Sequence, residues 1–110
     1  MPSIKDLQNR AVSIRDKFRV YEKAQGCAPW SRKDLMLGFV GDVGSLAKLT
    51  MAADGSRNIS KFEEKLGHEM ADCLWSLLVL AKEYEVDLEK ELLQLTEELE
   101  KKLIGSVPSV

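Results

Sequence analysis

Histidine, cysteine and proline are scarce in this chain, and each scarcity narrows what the protein can be. The one histidine, His68, has no second His or Cys at ligand spacing, which argues against a zinc site and leaves it as a surface or hydrogen-bonded residue. Two cysteines, Cys27 and Cys73, are too few for a disulfide framework and read as reduced thiols, as expected of a cytoplasmic protein. The longest unbroken apolar run, Leu77 to Ala81, falls far short of the ~20 residues that span a bilayer. No basic segment leads into an apolar stretch, so no secretory signal is expected. The formal net charge is only −2, with acids and bases interleaved. That pattern offers no basic face to a nucleic-acid polymer or an anionic membrane.

What is present is helix-forming. Of the 110 residues, 45% are apolar and 31% charged, with three prolines, a composition that suits one soluble domain leaning towards helix. A chain of this size buries roughly 65% of its surface on folding alone, enough for a core but not a generous one.

Four helices follow from periodicity. The first is expected from Ser3 to Lys23, capped by Ser3 with Asp6, with Ile4, Leu7, Ala11, Ile14, Phe18 and Tyr21 as its inward stripe. A loop over 24–29 contains Gly26 and Pro29. The second helix is expected from Ser31, its N-cap, to Ala53, with Asp54 and Gly55 closing it and Leu35, Phe39, Val43, Leu46 and Leu49 or Thr50 inward. It also carries Gly38, Gly41 and Gly44, each costing ~1 kcal/mol against alanine, so a compensating use is expected: close approach of a neighbour, or a hollow.

The third helix is expected to start near Ser60, with Ser60 and Glu63 as a capping box, and to reach Tyr84. Phe62, Leu66, Met70, Cys73, Leu77 and Leu80 should face inward. The fourth should begin at the N-cap Asp87, carry a seam of Leu88, Leu92, Leu95, Leu99 and Leu103, and stop at Gly105, leaving a frayed tail over 105–110. With no strand-like alternation, internal repeat or linker, the expectation is one all-α domain over 1–110, a four-helix bundle. The third and fourth helices are apolar beyond one face, and self-association is the simplest way to cover the excess.

The chemistry lies in the acids. Glu69 and Asp72 are three residues apart, which on a helix puts them on one face with Cβ atoms roughly 5–6 Å apart. Asp34, Gly38, Asp42 and Ser45 share a face of the second helix, as Lys65, Glu69, Asp72 and Ser76 do on the third. If the two helices pack antiparallel, Asp42 can face Glu69 and Asp72. Carboxylates forced together repel by about 4 kcal/mol per pair at roughly 4 Å and an effective dielectric of about 20. They must therefore stay apart in water, share a proton, or hold a cation. Oxygen-only ligands suit Mg²⁺ or Mn²⁺, which in turn hold phosphate oxygens and activate water. The plainer alternatives stay open: a solvated charged face, with Lys65 pairing to Glu69 one turn on, and core or interface places for Trp30 and Trp75.

The run Val40-Gly41-Asp42-Val43-Gly44-Ser45-Leu46-Ala47, followed by Glu69-Met70-Ala71-Asp72, resembles the MazG-like nucleoside triphosphate pyrophosphohydrolases, most of all their small dCTP-pyrophosphatase-like branch. The resemblance covers about residues 30–92, from Trp30 to the Val86-Asp87-Leu88 entry of the fourth helix. It implies a helical dimer or tetramer that uses Mg²⁺ to cleave a nucleoside triphosphate between its α- and β-phosphates. Position by position, it implies Asp42, Glu69 and Asp72 as metal ligands and catalytic acids. The fourth acidic position is Ser45, a neutral and poor Mg²⁺ ligand. Where the family places a Lys and an Asn on its last helix, this chain has Leu95 and Leu99. Lys65 could supply a replacement charge, with Arg32, Lys33 and Lys48 as further candidates, and Trp30 could stack on a base. Three readings follow: a pyrophosphohydrolase with Glu69 as general base, a binding or regulatory module without turnover, and a purely structural helical oligomer.

Overall fold

The computed structural model describes residues 1–106. Four helices form in chain order, α1 (Ile4–Ala24), α2 (Arg32–Ala53), α3 (Phe62–Glu83) and α4 (Leu88–Ser106), with no strand among the described residues. The class is all-α, as expected.

The starts of α1, α2 and α4 follow from local side-chain chemistry. At Ser3 and Ser31 full capping boxes form: each serine hydroxyl accepts from the backbone N–H three residues on, and Asp6 or Asp34 accepts in return from the serine's own N–H. That backbone bond from Ser31, followed by the one from its hydroxyl, holds the Asp34 carboxyl below its ordinary range. At α4, Asp87 accepts from the backbone of Lys90 at 3.2 Å. The third expected cap fails. Lys61, not Ser60, precedes α3, at φ 56° in the left-handed region and with no side-chain cap. That turn carries Ser60 past the position from which it could reach Glu63, and only the acidic residues Glu63 and Glu64 favour the helix start. Nor does Gly105 stop α4, which continues to Ser106; the expected frayed tail beyond it lies outside the described residues.

α2 lies along α3, and α1 packs on α3. Their core is Ala11, Leu35, Leu78 and Val79, flanked by the partly buried Ile4, Trp75, Leu80 and Leu88. Trp75 is thus a core residue. α1 is rotated from its expected orientation. Its inward residues are Gln8, Ala11 and Arg15, with Arg19 and Glu22 half-buried, while Leu7, Ile14, Phe18 and Tyr21 are exposed. A shift of one position is about 100° of helix rotation. Hydrogen bonding selects it: the Gln8 amide donates to the carbonyls of Leu78 at 3.2 Å and Val86 at 3.3 Å, and Arg15 donates to the carbonyl of Trp30. These are carbonyls that need partners when water is excluded. Val43, Met70 and Leu77, also expected inside, are exposed as well.

The chain is not a closed four-helix bundle. α4 meets the body at its first turn, where Leu88 joins the core and Lys5 pairs with Asp87 at 3.2 Å. From Lys90 to Gly105 every residue is exposed. The radius of gyration, 17.9 Å, exceeds the ~13 Å of a compact chain of this length, and the long axis reaches 64 Å. α2 also meets, by length and composition alone, the threshold for a membrane-crossing helix at mean hydropathy 1.3, a test that the core helix of a soluble protein passes too.

The three glycines of α2 separate into two kinds. A Cβ on Gly38 would sit 2.9 Å from Cζ3 of Trp30, so the bare backbone there is a seat for the indole. Nothing lies within 4 Å of a Cβ at Gly41 or Gly44. Gly38→Ala is therefore expected to displace the half-exposed Trp30 ring and change its fluorescence, with less than about 1 kcal/mol of change in stability because the ring can swing aside. Gly41→Ala in the isolated chain should instead gain about 0.5–1 kcal/mol from helix propensity. Thermal melts with tryptophan fluorescence separate the two, and a loss at Gly41 would mean that another chain covers that face.

Candidate metal centre

Three carboxylates converge between α2 and α3. Asp42, Glu69 and Asp72, all half-buried, each offer an oxygen, and the three lie within 4.8 Å of one another. The local cause is helical spacing. Glu69 and Asp72 share a face of α3, and antiparallel packing brings Asp42 opposite them. That packing shows in the pairings: Asp42 meets Glu69 and Asp72, while Ser45 and Lys48, further along α2, share a cavity with Glu69 and Lys65. As numbers rise on one helix they fall on the other.

The electrostatics record the crowding. The Glu69 carboxyl is pushed above its ordinary range, first by partial burial and then by the charges of Asp42 and Asp72, with a hydrogen bond to Asp42 favouring the proton further. Cys73, the next residue in chain after Asp72, has its thiol pushed up by burial and by the same three acids. It stays a protonated thiol, so the charged donors here are oxygen only. His68 leans across α3, with Nε2 3.4 Å from Asp72 Oδ2, and is otherwise largely exposed.

Donor chemistry and spacing fit a hard divalent cation. An octahedral ion with bonds of about 2.0–2.1 Å holds neighbouring ligands roughly 2.9 Å and opposite ones roughly 4.2 Å apart, so the three carboxylates would draw together from their present spacing to share one ion. Because Glu69 must lose its proton to bind, metal affinity and pH are linked. In the metal-free protein a raised carboxyl binds more protons folded than unfolded, so its contribution to stability is lost as pH rises through the raised value. A cation reverses this by favouring the charged form. Mn²⁺ affinity should therefore climb as pH rises through the raised range of Glu69, with proton release on binding, measurable by calorimetry in buffers of different ionisation enthalpy.

The other expected site residues are placed as follows. Ser45 is exposed, three residues after Asp42, and lines the cavity beside Glu69. Lys65 lines the same cavity of about 380 Å³. It forms no ion pair with Glu69. Trp30 stands apart from that cavity, seated on Gly38 one turn before Asp42, its ring about half exposed. Leu95 and Leu99 lie on the projecting part of α4.

Periodicity gave no sign of what holds Trp30. The buried Arg15 donates to its carbonyl. Arg19 bonds Glu83 at 2.6 Å, and Arg32 sits 3.6 Å from the same carboxylate and 4.8 Å from the Tyr84 ring centroid. Burial, foremost, and the neighbouring Arg19 lower the Arg15 pKa. A buried arginine in the middle of a stripe reads as a surface residue in sequence, because its carbonyl partner arrives from the loop before another helix. Comparison with protein-family models, curated proteins and solved structures finds no match to this chain.

Proposed function

We propose that this chain is a metal-dependent nucleoside triphosphate pyrophosphohydrolase of the MazG-like kind, releasing a nucleoside monophosphate and pyrophosphate. The supporting observation is the convergence of Asp42 with Glu69 and Asp72. Asp42, Glu69 and Asp72 would hold Mg²⁺ or Mn²⁺, with Ser45 at the site's edge. The ion, when bound, supplies charge neutralisation for phosphate oxygens and a more acidic water. Glu69, already proton-seeking among its neighbours, takes the proton of the attacking water. The water oxygen bonds to the α-phosphorus, the bond from that phosphorus to the bridging oxygen breaks, and its electron pair leaves with pyrophosphate. Trp30, half exposed on the Asp42 side of α2, offers a ring for base stacking.

Self-association belongs to the same reading. Among the described residues only seven apolar ones are buried, while Phe18, Tyr21, Leu37, Val40, Leu93 and Leu103 are each at least half exposed. These exposed apolar residues lie on α1, α2 and α4, and a second copy would cover them. Free cysteines fit the expected cytoplasmic setting.

The test is a panel of NTPs and dNTPs with Mg²⁺ or Mn²⁺, assayed for pyrophosphate. Release that needs the metal supports the enzyme; tight nucleotide binding without product would leave a binding module. Ser45→Glu, which adds a fourth carboxylate, is expected to tighten Mg²⁺ binding several-fold, and unchanged affinity would put Ser45 outside the ion's reach.

A further inference from the structure

The cavity beside the acids has a largely apolar wall that includes Leu49 and Ile59, and the polar groups on it are set in order along the two helices. Along α2 the polar chemistry on this side runs from the half-buried Asp42 to the exposed Ser45 and Lys48; along α3, read backwards, it runs from the half-buried Asp72 and Glu69 to the exposed Lys65. Because the helices are antiparallel, both series point the same way, from carboxylates to amines. Along the helix axes, at about 1.5 Å per residue, Lys48 stands about 9 Å from Asp42, and Lys65 about 6 Å from Glu69 and about 10.5 Å from Asp72. Lys48 and Lys65 line a space of about 380 Å³ with Ser45, His68, Glu64 and Glu69. Glu64 is the one further acid on that wall, yet neither lysine forms an ion pair among the described residues. Two lysines that line one hollow without an ion pair to its acids, next to a cluster that attracts a cation, suit a metal-bound ligand with several negative oxygens.

Resting on the pyrophosphohydrolase reading above, we infer that the Lys48–Lys65 end of this cavity holds the outer two phosphates of the substrate and then the pyrophosphate product. The nucleoside consequently lies on the opposite side of the acids, where Trp30 sits. The lysines act on the leaving group: as the bridging oxygen takes the bond's electron pair, their charge meets the negative charge that accumulates on the departing phosphates. They supply from α2 and α3 a positive charge that Leu95 and Leu99 on α4 cannot.

Calorimetry of the full chain with Mn²⁺ alone, and then with inorganic pyrophosphate or a nucleoside monophosphate in saturating Mn²⁺, tests this. Lys48→Gln with Lys65→Gln is expected to weaken pyrophosphate binding roughly tenfold or more, since each charged hydrogen bond contributes substantially. Mn²⁺ affinity and monophosphate affinity should change less than about twofold. An unchanged pyrophosphate affinity in the double variant, or no pyrophosphate binding by the metal-loaded parent, overturns the assignment of the cavity while leaving the metal centre standing. Failure of the parent to bind Mn²⁺ at all removes the hydrolase reading and this inference with it. An equal loss of monophosphate affinity would also overturn it, because the lysines would then serve the phosphate nearest the nucleoside. Circular dichroism melts of the variant establish that it is folded, and Lys48→Arg with Lys65→Arg should retain pyrophosphate binding.

Discussion

Glu69→Gln is expected to eliminate metal-dependent pyrophosphate release, by roughly a thousandfold or more, while leaving the protein folded. The size follows from two losses at one position. A carboxylate ligand becomes a neutral amide, and the proton acceptor for the attacking water disappears, a role worth about 10²–10⁴-fold by itself. The direction of the stability change makes the prediction specific. Glu69 is disfavoured as a carboxylate by burial and by Asp42 and Asp72, so replacing it with an uncharged isostere relieves repulsion in the metal-free protein. Its melting temperature should match or exceed that of the parent at neutral pH. Loss of activity together with a lower melting temperature would point to a structural role for Glu69. Retained activity would place the chemistry elsewhere.

The second large effect concerns α4. Changing Leu92, Leu95 and Leu99 together to glutamine is expected to convert an oligomer to monomers at micromolar concentration. Each of these leucines is already about half exposed in the single chain, so burying the remainder against a second copy contributes roughly 1 kcal/mol apiece at about 25 cal/mol per Å². Both chains lose that contribution, about 6 kcal/mol in all, so the dissociation constant should rise on the order of 10⁴-fold. The contact between α4 and the body is confined to its first turn, so the monomer should keep α1 to α3. Sedimentation velocity over a dilution series measures both mass and shape; a parent that is monomeric throughout would remove self-association from the proposal.

Local chemistry was legible in the sequence, and placement was legible only in part. Ser3, Ser31 and Asp87 could be read as caps because each needs only the three residues that follow it. Ser60 has the same pattern and fails, since the chain turns left-handed at Lys61 before the helix starts. Nothing about that backbone choice is written in the Ser60–Glu63 spacing. The meeting of Asp42 with Glu69 and Asp72 could be anticipated because helical spacing and a short α2–α3 connection leave few alternatives. The orientation of α1 could not. Its apolar stripe is the stronger periodic signal, but Gln8 and Arg15 turn inward to carbonyls of Leu78, Val86 and Trp30, which lie far away in chain. Exposed stripes on α1 and α4 are the counterpart of that outcome. Hydrophobic periodicity reports that a face must be covered, and says nothing of whether the same chain covers it.

The acids matter only if they act together on one ion, and Mn²⁺ titration of single-carboxylate variants examines that directly. The parent should bind Mn²⁺ at a site whose affinity falls at least about tenfold in Asp42→Asn, in Glu69→Gln and in Asp72→Asn alike, as loss of a charged ligand from a shared site requires. Undiminished binding in all three variants, or no binding by the parent, would contradict a metal centre between α2 and α3.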